Sequence, residues 1–229
     1  MCYENNYAND NGLPVWKRKG EEMVTKRQFL INTAILGVLT LFFLFTACAS
    51  VPYISVNYRI PAGAAPTKGQ TVALVTLDER KTKEVIGPGA RNDYKNYGGD
   101  ISYSLTKGAG SSFKIGVFDA PALLGEAMKA KLKNEGVLVV TDPRESDMVL
   151  ELGLKDFSLD LVKREWQFQM SYEGRLIREG RILSRQEITG QAERAKILQR
   201  READKVVEEL FSDLVNRFDL ERLFQKAGL

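Results

Sequence analysis

Two cations, Lys26 and Arg27, stand before nineteen residues without a charge, Phe29 to Ala47, and Cys48 follows at once. The run has the length of a short membrane-spanning helix, against the usual ~20 residues. Cations on its N-terminal side hold that end in the cytoplasm. The rest of the chain is therefore expected on the far side of a membrane, whether the run is removed or stays as an anchor. Removal up to Ala47 leaves 182 of the 229 residues, enough for one domain with a sizeable core.

The run ends in Phe45-Thr46-Ala47-Cys48, a small pair followed by a cysteine. This resembles a bacterial lipoprotein signal, although Phe45 stands where such signals usually carry Leu. The resemblance implies that Cys48 is acylated and becomes the first residue of the mature chain. Each buried methylene contributes about 0.8 kcal/mol, so several acyl chains (palmitate and its like) anchor a protein stably where one does not. Ala49-Ser50 after the cysteine implies sorting to the periplasmic leaflet of the outer membrane; an uncleaved anchor in the inner membrane is the alternative. Residues 1–22 are polar and Asn-rich, and are expected to be disordered. Met23 opens a more ordinary signal, Met23-Val24-Thr25-Lys26-Arg27, and is the expected translation start, with a long cytoplasmic extension from Met1 as the alternative.

After Cys48 there are 28 basic and 26 acidic residues, so no broad electrostatic footprint for nucleic acid exists. Cys2 and Cys48 are the only cysteines and would not share a mature chain, which removes any disulfide framework. No histidine occurs, which removes the usual general base, the usual zinc ligand and any Ser-His or Cys-His nucleophile. No enzymatic activity and no cofactor are expected.

Residues 48–69, with Pro52, Pro61 and Pro66, read as the lipidated cysteine and a tether, with an edge strand around Val51–Tyr58 inside it. Thr71–Leu77 is a short apolar, β-branched run and predicts a buried strand. Residues 86–113 are rich in Gly, Asn, Asp, Ser and Tyr and predict a loop region with a strand at Ile101–Leu105. Asp119 and Pro121 open a helix whose apolar positions run from Leu123 to Leu132 and which Gly136 ends. Val137–Val140 predicts a strand. In Met148–Val162, Leu150, Leu152 and Leu154 share one parity and Phe157, Leu159 and Leu161 the other, so a bulge or twist is expected near Lys155-Asp156. Trp166 to Tyr172 alternate cleanly, Glu179-Gly180 marks a hairpin, and a final amphipathic helix carries Val206, Leu210, Phe211 and Leu214 on one stripe. The expected fold is α+β: a two-layer domain over 70–229, mostly antiparallel, with two main helices on one face.

The signal ending in Cys48, the strand leading into Asp78-Glu79-Arg80 and Ile86-Gly87, the helix Ala122–Leu132 closing at Asn134-Glu135-Gly136-Val137, and the long strand before paired strands and a last helix are similar to the YajG-type uncharacterised lipoproteins of the bacterial envelope. That resemblance implies a small α/β domain without established catalysis.

Several residues are candidates for partner binding. Asp78 and Arg80, two apart at a strand end, face one side and either meet a common partner or pair with each other. Tyr94, Tyr97 and Tyr103 are either contact anchors or packing over a sheet edge. Arg175, Arg178, Arg181 and Arg185 gather around the hairpin, either for head groups and acidic partners or as a charged edge that blocks aggregation. Asp156 and Asp160 lie roughly 13 Å apart along an unbroken strand, too far for a shared hydrolytic site, and are expected on the surface. Gly87-Pro88-Gly89 and the Gly108–Ser112 stretch fit no phosphate-binding spacing and read as flexible loop. The chain is expected to act as a lipid-anchored binding or assembly module in an envelope protein complex. The alternative is an auxiliary lipoprotein of a lipid or lipopolysaccharide transport system, which requires an apolar hollow between sheet and helices.

Overall fold

The computed structural model describes residues 52–61, 70–108, 110–197 and 201–229. The signal, Cys48 and the first part of the tether lie outside the described residues.

Alternation is the main architect of the larger sheet. Strands β2 (Thr71–Asp78), β5 (Leu138–Val140), β6 (Met148–Val162), β7 (Glu165–Arg178) and β8 (Arg181–Ala195) assemble in the order β5-β2-β6-β7-β8. β6, β7 and β8 are antiparallel neighbours, while β2 runs parallel to both β5 and β6. Trp166, Phe168, Met170 and Tyr172 of β7 all point inward and are buried, each contributing about 1.5–3 kcal/mol or more. The parity change in β6 is resolved by a register shift between Leu154 and Asp156. One extra residue turns Phe157 and Leu159 to the same face as Leu150, Leu152 and Leu154, and all five are buried.

Two hairpins join the long strands. Glu179 and Gly180 both have positive φ, 51° and 75°, as a two-residue turn that follows the strand twist requires. The β6–β7 turn is Lys163-Arg164, with φ of 50° and 69°, in the same left-handed region without a glycine or asparagine. Nothing in the residue types announces that second turn.

Both main helices, α1 (Ala120–Asn134) and α2 (Arg201–Arg217), cover the inner face, and a short α3 (Leu220–Lys226) extends the cover over β8. The Asp119 carboxylate accepts from the Ala122 amide at 2.9 Å, capping α1. Gly136, φ 79°, lets the Val137 amide turn back to the Leu132 carbonyl at 3.0 Å. Asp219 caps α3 in the same way through Arg222 N.

A second sheet of three strands, β1 (Ile54–Ile60), β3 (Ile101–Lys107) and β4 (Ser112–Phe118), has the order β1-β3-β4. β1 is parallel to β3 and β3 antiparallel to β4. The strand in the tether stretch is thus part of the fold, since Ile54, Val56, Tyr58 and Ile60 are buried, and the folded unit extends well before residue 70. Phe211 of α2 joins the two sheets: its ring meets Tyr58 at 6.4 Å and Phe157 at 6.5 Å, both edge-on. Among the described residues no helix is long and apolar enough to cross a membrane.

Candidate functional site

Asp78 closes β2, and the chain turns after Glu79, whose amide donates to the Leu154 carbonyl at 2.9 Å. The turn folds Arg80 back on Asp78. Nε and Nη2 donate to Oδ1 and Oδ2 at 2.9 and 3.0 Å, and Lys83 adds a contact at 3.0 Å. The Arg80 guanidinium, outweighing burial and helped by Lys83, holds the Asp78 carboxyl well below the usual carboxylate range. Arg80 is only 8% exposed. Of the two sequence readings, mutual pairing is the one observed.

Arg175 is likewise occupied. Nη2 donates to both carboxylate oxygens of Glu79 at 2.7 and 2.8 Å, Nη1 to Glu151 at 2.8 Å, and Nε to Glu173 at 3.0 Å. Glu79 reaches this position by lying over Gly153, where an added Cβ would come within 2.4 Å of its Oε2. Lys155 extends the network to Glu187 at 3.0 Å and Glu173 at 3.6 Å. The arginines therefore divide. Arg175 sits in a carboxylate cage on the outer face, Arg178 lies half-buried opposite Arg181 at the hairpin, and Arg181 and Arg185 project from the edge strand β8.

Of the two readings of the tyrosines, contact anchors or packing, the structure shows packing. Ile86 bridges Leu159 in parallel, with Gly87 N to Leu159 O and Leu159 N to Val85 O both at 2.8 Å. Asp160 Oδ1 accepts from the Ala90 amide at 3.1 Å, so this carboxylate pins the loop instead of standing free on the surface. Gly87 and Gly89 are needed for close approach: a Cβ on Gly89 would lie 2.1 Å from the Leu161 carbonyl oxygen. The flexible reading of Gly87-Pro88-Gly89 gives way to this clamp. Tyr94 then packs edge-on against Tyr97 and Trp166, with centroids at 5.9 and 6.0 Å. Lys196 pairs with Asp93 at 2.7 Å and lies over the Trp166 ring. Tyr103 belongs to β3 and meets Phe118 at 6.0 Å. Burial pushes the hydroxyls of Tyr97 and Tyr103 well above the ordinary tyrosine range.

The feature the sequence reading missed is β4. Phe113, Ile115 and Val117 alternate with Lys114 and Gly116, a strand signal hidden at the end of a polar stretch. All three are exposed, at 65%, 47% and 52%, on the outer strand of the small sheet. Beside them a groove of about 440 Å³ runs between the sheet and α1. Its apolar surface comes from Ile60, Tyr103, Leu105 and Ile115, and Lys107, Lys129 and Lys133 stand at its rim with Glu126. A second hollow of about 520 Å³ lies over the clamped loop, between Lys83 and Gly99. Among the described residues no cluster of carboxylates could hold a metal ion.

No family model matches the chain, and no curated protein matches it. Similar solved structures include a protein from Xanthomonas campestris, XCC0632, described by the family model DUF330. It is 10% identical, with 78% of this chain and 96% of that one covered and a TM-score of 0.46. A putative neuraminyllactose-binding hemagglutinin homolog from Helicobacter pylori is 9% identical, covering 75% and 97% of the two chains with a TM-score of 0.43. A minor lipoprotein from Acinetobacter baumannii is 11% identical, covering 67% and 93% with a TM-score of 0.35. At these identities neither activity nor partner passes to this chain.

Proposed function

We propose that the chain is a lipoprotein of the bacterial envelope, held to a membrane through acylated Cys48 and serving as a non-catalytic binding or assembly module. The observation that carries the reading is the uncharged run ending in Thr46-Ala47-Cys48 directly ahead of a folded domain. Ile54, the first residue of β1, follows six residues after Cys48. Six residues span no more than about 20 Å when fully extended, so an acylated Cys48 would keep the domain beside the bilayer. Ala49-Ser50 supports the outer membrane as its address.

The ligand-carrier alternative requires an apolar hollow between sheet and helices. Under the larger sheet that space is filled by Trp166, Phe168, Leu152, Phe211 and Leu214, none of them more than 1% exposed. The groove beside the small sheet is rimmed by Lys107, Lys129 and Lys133, and the filled interior favours the binding module.

Metabolic labelling with an alkyne-bearing fatty acid tests the anchor. Wild-type protein is expected to carry the label and an N-terminus beginning at Cys48. Cys48→Ser is expected to lose the label and accumulate an uncleaved precursor, whose mass also distinguishes a start at Met1 from one at Met23. A labelled, cleaved Cys48→Ser product refutes the reading.

A further inference from the structure

Among the described residues β4 has a neighbouring strand on one side only, so the outward amides and carbonyls of Ser112–Phe118 face no described strand. Natural edges are normally blunted by charge, proline or bulges. β4 has a bulge at Ile115 and a lysine at 114, yet three of its seven residues are large, apolar and exposed. The bulge also has a constructive effect. By adding one residue between the Tyr103–Gly116 and Ser104–Lys114 pairs, it turns Ile115 into the groove beside α1.

Charge narrows the choice of occupant. Lys107, Lys114 and Lys133 have no ion-pair partner among the described residues, and Lys129 has only Glu126 at 3.6 Å. A second copy docking edge to edge would bring these lysines against their own equivalents, and like charges across paired strands are destabilising. The chain's own segment 62–69, which leaves β1 beside Asn134, carries Lys68, no acid and no large apolar residue. A flat lipid surface matches neither the concave groove nor the split of the apolar row, since Phe113 stands beside Leu105 and Val117 beside Ser102 on the opposite face of the sheet.

We infer that the free edge of β4 and its lysine-rimmed groove form a docking site for an extended segment of another protein, one that alternates apolar and acidic residues. Such a segment adds a strand to the sheet, its backbone bonding to β4. The bulge divides the ladder into short runs, Ser112–Lys114 and Gly116–Phe118, so the ladder sets register while the side chains in the groove supply affinity. Carboxylates on the segment meet Lys107 and Lys133, and salt weakens the contact. The inference stands on the small sheet and α1 and is independent of Cys48 acylation.

The probe is a fluorescent peptide of alternating Val and Glu, titrated against the full-length protein in a non-ionic detergent. Saturable binding is expected, weakened about ten-fold or more by Ile115→Lys and by the pair Lys107→Glu with Lys133→Glu. The same peptide N-methylated at alternate bonds is expected not to bind, and Ile182→Lys on β8, an edge of the larger sheet, is expected to change nothing. All these side chains are exposed, so circular dichroism and the thermal midpoint should match wild type. Three results overturn the inference: no saturable binding; equal binding of a Val-Lys peptide; or indifference to Ile115→Lys. A concentration-dependent dimer abolished by Ile115→Lys would assign the edge to a second copy, and vesicle adsorption abolished by it, without peptide binding, would assign it to lipid. Either result also overturns the inference.

Discussion

The two outer strands β8 and β4 solve the same problem in opposite ways. β8 is fifteen residues long and turns Arg185, Glu187, Thr189, Gln191 and Glu193 to the solvent side, with Ile182 its one large exposed apolar residue. Its inward side is sealed: Ser184 donates to the Leu223 carbonyl at 2.7 Å, and Gly190 lies against Leu210 and Leu214. β4 is seven residues long and exposes Phe113, Ile115 and Val117. The length difference makes the contrast instructive. The longer edge carries the greater aggregation hazard and is polar along its exposed side but for Ile182, whereas the shorter one keeps an apolar row that no packing within the domain requires.

The larger sheet is also the better tied of the two. Its outer face carries the Arg175 cage and its inner face both main helices, while the small sheet is tied to the rest mainly through α2 and Phe211, with α1 adding a lesser contact. Phe211→Ala is expected to have the largest effect on this arrangement, about 3–5 kcal/mol. A single cooperative thermal transition shifted downward would show that the sheets fold together; a split transition would show the small sheet melting first.

Gly89→Ala is expected to cost about 1–3 kcal/mol, because the added methyl meets backbone, the Leu161 carbonyl, which cannot swing aside as a side chain can. The loss should appear in chemical denaturation as an unchanged slope with a lower midpoint. Arg175→Met leaves Glu79, Glu151 and Glu173 facing one another without their cation and is expected to cost about 1–3 kcal/mol at neutral pH.

Alkaline pH provides a test across both sheets. Tyr58 and Tyr103 in the small sheet and Tyr97 and Tyr172 in the rest all have hydroxyls pushed up, in each case first by burial. Their folded values lie above the unfolded one, near 10, so the folded state retains protons that the unfolded state releases. Stability is therefore complete below about pH 10 and falls as pH rises beyond it. Tyr172→Phe should flatten this fall slightly, at a cost of about 1 kcal/mol for its hydrogen bond to the Leu214 carbonyl.

The smallest expected stability effects fall on exposed turns and edges. Replacing Lys163-Arg164 by Asn-Gly is expected to stabilise by about 1 kcal/mol, since both positions hold left-handed backbone. Val117→Thr on β4 is expected to change stability by no more than about 0.5 kcal/mol. Placing valines at 185, 187 and 191 is expected to give a concentration-dependent self-association by light scattering, with none expected of wild-type β8.

How far the sequence could be read follows from the range of the forces involved. The bulge in β6 was legible because a parity change between Leu154 and Phe157 leaves a two-faced strand no other way to bury both sets. The Glu179-Gly180 turn, the Asp119 cap and the stripe of α2 were legible because each is a local geometric requirement met by a residue type. The Lys163-Arg164 turn was not, because the long ladder of β6 and β7 imposes a backbone its residues do not favour. Pairing of Asp78 with Arg80 was one of two open readings because the residues stand two apart. Tyr94 and Arg175 carried no sign of Trp166, Glu79 and Glu151, which lie tens of residues away.

What the sequence determined by itself is the uncharged run before Cys48, the α+β class, and the strand and helix periods, all set by neighbours in the chain. Tertiary structure alone decided that the strand in the tether joins β3, that Asp160 clamps the glycine loop, and that Phe113, Ile115 and Val117 stay on an open edge. Exposure is a property of what the rest of the molecule covers, and no stretch of sequence carries that by itself.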